Sequence, residues 1–369
     1  MDFTASDYEF MARALRLAKK GLYTAHPNPR VGCVIVKDGV IVGEGWHEYT
    51  GGPHAEINAL QQAGDKARGA TVYVTLEPCC HEGRTPPCTE ALKTAGVASV
   101  IAAMVDPHSR VAGNGLKELE AAGIKTASGL LEVQAEALNP GFIKRMRFGR
   151  PFVRCKLAMS LDGRTAMASG ESKWITSEAA RLDVQRLRAR SSAILTGVGT
   201  VLADDPSMTV RSENVRAQPV RVVVDTHLSM PADAKMLKEA GQTWVFTCAD
   251  DGRTAELESA GAKVHSMPFC ASDVDLESVL DQLGEMEINE VLVETGATLS
   301  GGFLQAGLID ELVIYMAPIL MGDSARALFH LPGLDSMEQK IELDVTDRRM
   351  IGQDMRITAR VKKKKGDTH

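Results

Sequence analysis

One histidine, one glutamate and a short run of cysteines stand at spacings that suit hydrolysis at a metal. His54-Ala55-Glu56 follows Gly51-Gly52-Pro53, and Pro78-Cys79-Cys80-His81-Glu82-Gly83-Arg84-Thr85-Pro86-Pro87-Cys88 comes later in the chain. One imidazole and two thiolates leave the fourth position of tetrahedral Zn²⁺ open, the arrangement of a catalytic rather than a structural site. Zinc lowers the pKa of water toward neutrality, so hydroxide is available at working pH. Glu56, two residues past His54, can lie beside the metal without ligating it. There it can take a proton from water and pass it to a ring nitrogen and then to a departing amine. The chemistry these types suit is hydrolytic deamination of a heterocyclic amine.

Blander readings compete with this one. A lone H-x-E carries little, a Cys-Cys pair is usually buried packing, and His81 is available to close a purely structural zinc site. The order of the pieces, each on a strand-to-helix turn, favours the catalytic reading. The spacing departs from the general deaminase pattern of H-x-E followed by P-C-x-x-C. Glu82 stands where the second cysteine belongs, and the next thiol is Cys88. Either a loop lies between the ligands, or Cys80 or His81 substitutes.

The surrounding elements must bring these residues to one point. Phe10, Met11, Ala14, Leu15 and Ala18 recur at helical spacing over 6–20, with Gly21 as a stop. Apolar runs at 31–36 and 40–42 flank Lys37-Asp38-Gly39, a hairpin signal. A helix is expected from His54 to Gly64, a strand over 71–76, a helix over 89–95 and a strand over 97–105. A helix over 115–122 and a strand from Ile124 follow. Such alternation predicts a sheet covered on both faces. Cys79 and Cys88 then fall near a helix N-terminus, where unpaired N–H groups stabilise thiolates.

Residues 139–151, NPGFIKRMRFGRP, interrupt this rhythm with two prolines, two glycines and a burst of basic charge. The domain junction is placed there, giving domains 1–148 and 149–369. The second half starts new strands at 152–159, 220–224, 244–247, 291–294 and 312–317, with a terminal β pair around Ile341 and Ile357. Helices over 177–189 and 275–283 separate some of them, so this half is also α/β. The Lys362–Lys365 tail reads as a solvated end.

Composition narrows the class. A chain of 369 residues with 44% hydrophobic and 24% charged residues has the profile of a two-domain globular protein. A net charge of −6 argues against a bulk electrostatic grip on nucleic acid or an anionic membrane. MDFTASDYEF lacks the pattern of a secretory leader. Cysteines at 33, 79, 80, 88, 155, 248 and 270, three of them within ten residues, suggest a metal or catalytic cluster in a reducing, cytoplasmic setting rather than a disulfide framework.

PNPRVGCVIV, GGPHAE and EPCCHEGRTPPC together resemble the deaminase half of the bifunctional riboflavin-biosynthesis deaminase/reductase family. KLAMSLDGRTAMASGESKWITS, TGVGTVLADDPSMTVR, VETGATLSGGFLQAGLIDEL and YMAPILMG resemble its reductase half, so the likeness covers nearly the whole chain. That family has the longer spacing between cysteines. The resemblance therefore implies His54, Cys79 and Cys88 as ligands of a single Zn²⁺, Glu56 as proton shuttle and Asn28 as a substrate contact. It implies a cytidine-deaminase-like α/β/α layered domain followed by a dihydrofolate-reductase-like α/β domain.

For the second half, the residues alone say less. The apolar run 291–293 leads to Gly296, with Gly301-Gly302 shortly after, and such glycines admit a phosphate to a helix N-terminus or simply allow tight packing. No G-x-G-x-x-G supports a Rossmann domain. The resemblance implies NADPH contacts at Ala158, Trp174, Thr200, Asp204 and the stretch Gly296, Ala297, Thr298, Leu299, Ser300, Gly301 and Gly302. It implies substrate contacts at Ser172, Arg188, Arg211 and Glu294, the arginines suiting a ribose 5′-phosphate. Without it, Arg188 reads as part of a solvated helix face and Trp174 as packing. Lys156 and Asp204 are the alternatives for assisting hydride transfer.

The expected reaction is deamination of 2,5-diamino-6-ribosylamino-4(3H)-pyrimidinone 5′-phosphate, then reduction of the ribosyl group of the aminouracil to ribityl. Partners are expected to be phosphorylated pyrimidines, not nucleic acid or membrane, with the chain forming a homo-oligomer, most simply a dimer. Two alternatives stand beside this one. A nucleoside or tRNA deaminase with a silent second domain would not oxidise NADPH. A zinc-stabilised binding module would not turn over.

Overall fold

Thr4 starts the first helix with a capping box: Asp7 N–H donates to Thr4 Oγ1 at 3.3 Å, and Thr4 N–H donates to Asp7 Oδ2 at 2.7 Å. The structure, a computed structural model, describes residues 3–81, 86–108, 111–211, 217–249, 252–267, 269–270 and 273–362. Glu82 and most of the lysine tail lie outside them. The chain divides into two compact units, Met1–Arg150 and Pro151–His369.

The first unit runs α1 (Ala5–Ala18), β1 (Gly32–Lys37), β2 (Val40–Trp46), α2 (Ala55–Ala63), β3 (Thr71–Val74), α3 (Cys88–Ala95), β4 (Ser99–Ala102), α4 (Asn114–Ala121), β5 (Lys125–Ser128), α5 (Glu132–Leu138) and α6 (Pro140–Phe148). Its sheet has the order β2-β1-β3-β4-β5, with β1 antiparallel to both neighbours and β3, β4 and β5 parallel. The β1–β2 hairpin turns at Asp38 and Gly39, both at positive φ, as an Asp-Gly turn requires. Met11, Ala14, Leu17, Val34, Ile35, Val72 and Leu92 form the centre of the core.

Two glycines let the helices lie directly on this sheet. A Cβ on Gly32 would stand 2.1 Å from the carbonyl oxygen of Ala14 in α1, and one on Gly45 would stand 2.3 Å from that of Ala55 in α2. The second approach seats the start of α2, and with it His54 and Glu56, against the hairpin.

The second unit runs β6 (Phe152–Ser160), β7 (Arg164–Ala166), α7 (Glu178–Arg190), β8 (Ala193–Gly197), α8 (Val198–Asp204), β9 (Val220–Val224), α9 (Lys235–Lys238), β10 (Thr243–Thr247), α10 (Arg253–Ser259), β11 (Ala262–Ser266), β12 (Phe269–Cys270), β13 (Asp273–Val274), α11 (Leu276–Glu285), β14 (Glu290–Val293), α12 (Ala297–Gln305), β15 (Glu311–Ala317), β16 (Arg326–Ala327), β17 (Leu343–Ile351) and β18 (Asp354–Val361). Its main sheet has nine strands in the order β11-β10-β9-β8-β14-β6-β15-β18-β17. The strands from β11 to β15 pair in parallel, and β18 and β17 close the edge antiparallel. The central strands are buried on both faces, as continuous apolar runs such as 291–293 require.

Some expectations need correction. The junction stretch 139–151 contains α6, in which Pro140 occupies the first turn, where its missing N–H is no loss. The strand expected over 97–105 is confined to Ser99–Ala102. The terminal pair starts at Leu343, two residues after Ile341. Strand β8 has no counterpart among the expected strands: its apolar run is only Ala193-Ile194-Leu195, separated from the end of α7 by two residues, too short to show a period of its own.

Candidate active sites

In the first unit, His54 has extended backbone angles (φ −71°, ψ 163°) as the residue capping α2, which places Glu56 in the first turn of that helix. Cys79 follows β3, and Cys88 is the first residue of α3. Their ligand atoms and that of His54 lie within 4.8 Å of one another. His54 Nδ1 is 3.2 Å from Cys88 Sγ and 3.6 Å from Cys79 Sγ. Tetrahedral Zn²⁺ with ordinary bond lengths would set such atoms roughly 3.5–3.8 Å apart. The donor set, one nitrogen and two sulfurs, therefore fits zinc. The nine-residue interval from Cys79 to Cys88 is bridged by the Cys88 N–H, which donates to Cys79 Sγ at 3.3 Å.

Charge in the site is organised around that pair. The Cys88 side chain, opposed by burial and aided by His54, brings the Cys79 thiol well below the ordinary cysteine value, the direction that favours a thiolate ligand. Burial, then the charge of Cys79, pushes the Glu56 carboxyl up to about 7. Glu56 is 4% exposed and faces the Cys88 side chain.

Asn28 lies at the same site through His47. Its Nδ2 is 3.1 Å from His47 Nε2, and His47 Nδ1 lies 3.1 Å from the carbonyl oxygen of Pro53. The imidazole of His47 meets that of His54 edge-on, with centroids 5.6 Å apart. Asn139 holds the Asn28 loop from behind: Arg30 N–H donates to its Oδ1 at 2.8 Å, and its Nδ2 donates to Arg30 O at 3.0 Å. His47 and Asp106 are not among the residues that sequence reasoning singles out. Asp106 follows β4, the neighbour of β3, and burial pushes its carboxyl up to about 6. Its signal is an acidic residue just beyond a parallel strand, beside the strand that leads to Cys79, where sites in α/β sheets commonly form.

In the second unit, β6 and β8 flank β14, and several of the expected residues gather at the ends of these strands. Glu294 follows β14 and Arg188 lies in the last turn of α7; they form a two-pronged pair at 2.6 and 3.0 Å. Arg188 Nη1 also donates to Thr209 O at 3.0 Å. Lys156, on β6, interacts electrostatically with Glu294; burial pushes its ammonium below the ordinary lysine value while Glu294 draws it back. Burial raises Glu294, but Arg188 and Lys156 overcome this and hold it ionised below the usual range. Arg211 is exposed, and its N–H donates to Gln185 of α7 at 2.9 Å.

Gly197 and Gly296 cap α8 and α12, and Gly197 N–H donates to Thr295 Oγ1 at 3.3 Å, so the two helix starts are neighbours. Thr200 and Asp204 lie on α8. Asp204 forms an ion pair at 3.1 Å with Lys173, between Ser172 and Trp174. Trp174 is 69% exposed, with the Arg181 guanidinium 4.6 Å from its ring centroid. Ala158, on β6, pairs with Tyr315. Within 296–302, Gly296 to Leu299 occupy the helix start. Ser300 is buried beside Cys155, and a Cβ on Gly301 would stand 2.0 Å from the carbonyl oxygen of His330.

Comparison with known proteins matches both units. Residues 4–104 match the family described as cytidine and deoxycytidylate deaminase zinc-binding region, and residues 151–357 match the family described as RibD C-terminal domain. The chain is 51% identical over 362 residues to the riboflavin biosynthesis protein RibD of Escherichia coli K12, covering 95% of this chain and 98% of that one. Among solved structures, it is similar to Acinetobacter baumannii RibD (TM-score 0.91, 47% identity, 97% of this chain and 99% of that one). It is also similar to a Thermotoga maritima diaminohydroxyphosphoribosylaminopyrimidine deaminase/5-amino-6-(5-phosphoribosylamino)uracil reductase (TM-score 0.86, 35% identity, 96% and 99% covered).

Proposed function

The chain belongs to the RibD family of bifunctional riboflavin-biosynthesis deaminase/reductases, and on that footing we propose which residues carry each half-reaction. The first unit is a zinc-dependent deaminase and the second an NADPH-dependent reductase. His54, Cys79 and Cys88 hold the zinc. When bound, the metal supplies the Lewis acidity that makes water nucleophilic near neutral pH. Glu56 would carry the first water proton to a ring nitrogen and then the second, from the new C–OH, to the amine, so that ammonia leaves as the C=O forms. Asn28 orients the ring of 2,5-diamino-6-ribosylamino-4(3H)-pyrimidinone 5′-phosphate.

In the reductase unit, Ala158, Trp174, Thr200, Asp204 and the 296–302 stretch hold NADPH, Gly296 to Leu299 with their main chain at the helix start and Ser300 to Gly302 by close packing behind it. Ser172, Arg188, Arg211 and Glu294 hold 5-amino-6-(5-phosphoribosylamino)uracil. NADPH supplies the hydride that opens the ribosyl ring to ribityl. Of Lys156 and Asp204, Lys156 is the better proton carrier, because Asp204 is exposed and engaged with Lys173.

The observation that carries the reading is the meeting of His54, Cys79 and Cys88 beside Glu56. Incubating the protein with the diaminopyrimidinone phosphate tests it. Ammonia should appear with or without NADPH, and the ribityl product only with it. Ammonia release that required NADPH, or none at all, would reject the assignment.

We further propose that the protein is a cytoplasmic homodimer acting on small molecules. Cys33, Cys79, Cys80, Cys88 and Cys155 carry free thiols, and no described helix is long and apolar enough to cross a membrane. Strand β17 is a long sheet edge with exposed Leu343, Val345 and Met350, which a second copy would cover. Light scattering that gave a monomer at micromolar concentration would exclude the dimer.

A further inference from the structure

Glu77 is 3% exposed and carries a carboxylate surrounded by main-chain donors. Its Oε2 accepts the N–H of Asp106 at 3.0 Å and of Gly113 at 2.8 Å. Its Oε1 accepts the N–H of Gly115 at 2.8 Å and of Leu116 at 3.2 Å. Gly115 and Leu116 belong to the first turn of α4, so this side chain caps a helix whose capping residue, Gly113, stands 36 residues further along the chain. A carboxylate at a helix N-terminus meets both orphan N–H groups and the positive end of the macrodipole.

Two further contacts tie α4 to both cysteine-bearing segments. A Cβ on Gly115 would stand 2.2 Å from the carbonyl oxygen of Pro78, so the start of α4 is pressed onto the turn that carries Cys79. On the same helix, Glu118 pairs with Lys93 of α3 at 2.8 Å, and α3 begins at Cys88. One short helix thus touches the turn before one thiol and the helix after the other. The link from Glu77 to Asp106 fixes the β4 end against the same turn.

We propose that Glu77 is a positioning residue of the zinc site: it locks α4 as a brace that sets the separation of Cys79 from Cys88. The inference rests on the reading of those cysteines as zinc ligands. Glu77 touches neither metal nor substrate; it acts through Pro78, Gly115 and the Glu118–Lys93 tie. Exchanging its carboxylate for an amide puts an –NH₂ where two N–H groups now point, which breaks one pair of the four bonds.

The test uses the full chain with Glu77→Gln, measured by chelator competition for zinc and by the visible spectrum of the cobalt-substituted protein. Groups that orient metal ligands from behind typically change affinity 10–100-fold when removed. The expected result is zinc bound at least about 10-fold more weakly, a displaced cobalt spectrum, and NADPH-dependent reduction unchanged. Zinc affinity within twofold of the parent and an unmoved spectrum, even with a lower melting temperature, would overturn the proposal. If Glu77→Gln does not fold, Glu77→Asp carries the test. It keeps the charge but falls one methylene short of the four donors, and the same two measurements decide with the same outcomes. Cys79→Ser separates the two layers of argument: zinc retained at full affinity there sinks the ligand assignment itself, whatever Glu77 does.

Discussion

Arg188 and Glu294, 106 residues apart in the chain, face each other as a two-pronged pair, Nε to Oε1 at 2.6 Å and Nη2 to Oε2 at 3.0 Å. Their side chains are 14% and 11% exposed, so the pair is screened little by solvent. Burial raises the Glu294 carboxyl, and Arg188 with Lys156 more than reverses it, leaving the folded pKa below the ordinary 4.5. A depressed carboxyl pKa means that the unfolded chain binds more protons as the solution is acidified. The pair's contribution is therefore complete above about pH 4.5 and is lost as pH falls through the lower folded value. Glu294→Gln should abolish reduction and lower the melting temperature at pH 7. The gap from the parent should narrow progressively below pH 4.5. A gap independent of pH from 3 to 7 would show that the carboxylate charge is not what the pair contributes.

Glu56→Gln keeps the size of the side chain and removes the proton carrier. Zinc content should match the parent, because the ligands are His54, Cys79 and Cys88 in the proposed assignment. Deamination should fall by about 10²–10⁴-fold, while NADPH oxidation with the deaminated product should be unchanged. Metal analysis and the two assays on one sample check this. Full deaminase turnover in the variant would remove Glu56 from its role.

The metal donors are legible because their chemistry is carried by residue type and short spacing. His54-Ala55-Glu56 and the Pro78–Cys88 string each sit where a strand or loop hands over to a helix, and the folded chain brings the three donors within 4.8 Å. Resemblance, not spacing, selects Cys88 over Cys80 and His81. Arg188 is not legible from its own surroundings: in Arg186-Leu187-Arg188-Ala189-Arg190 it looks like one cation of a solvated face. Its acceptor, Glu294, lies beyond the reach of any local pattern. Glu77 is hidden for a different reason, since its partners are main-chain N–H groups that have no side-chain signature. Pro140-Gly141 reads as a breaker, although proline in a first turn starts a helix as readily as it ends one.

Arg154 supplies a prediction about the reductase core. It is 2% exposed on the central strand β6, pairs with Glu290 at 3.1 Å, and also hydrogen-bonds Glu311. Taking one member from a buried ionic cluster leaves desolvated charge behind and costs about 3–5 kcal/mol. Arg154→Met should therefore destabilise the second unit by that amount in urea unfolding followed by Trp fluorescence. Deaminase turnover should persist. Simultaneous replacement of Arg154, Glu290 and Glu311 by apolar residues should recover part of the loss, because neither carboxylate is then stranded, and Arg190, which also pairs with Glu290 at 3.3 Å, is 24% exposed and can reach water. Failure of the triple variant to recover any stability would point to the packing of Arg154, not its charge.

Gly45 links the sheet to the catalytic helix and gives the sharpest geometric prediction. Its missing Cβ would lie 2.3 Å from Ala55 O and 2.5 Å from Ala59 N, both main-chain atoms of α2. Neither can swing aside as a flexible side chain would, so Gly45→Ala must lift α2 from β2. Inserting a methyl into so close a contact costs about 1–3 kcal/mol. The displaced helix carries Glu56 in its first turn and is capped by His54. Gly45→Ala should thus lower deaminase kcat by more than its loss of stability explains, measured well below the melting temperature, with reduction untouched. The same change at Gly39 is a control for added bulk alone. A methyl on that hairpin-turn residue would have nothing within 4 Å, and its cost comes only from the φ of +77°. If both variants lose deaminase activity equally, the close approach of α2 is not what sets Glu56 in place.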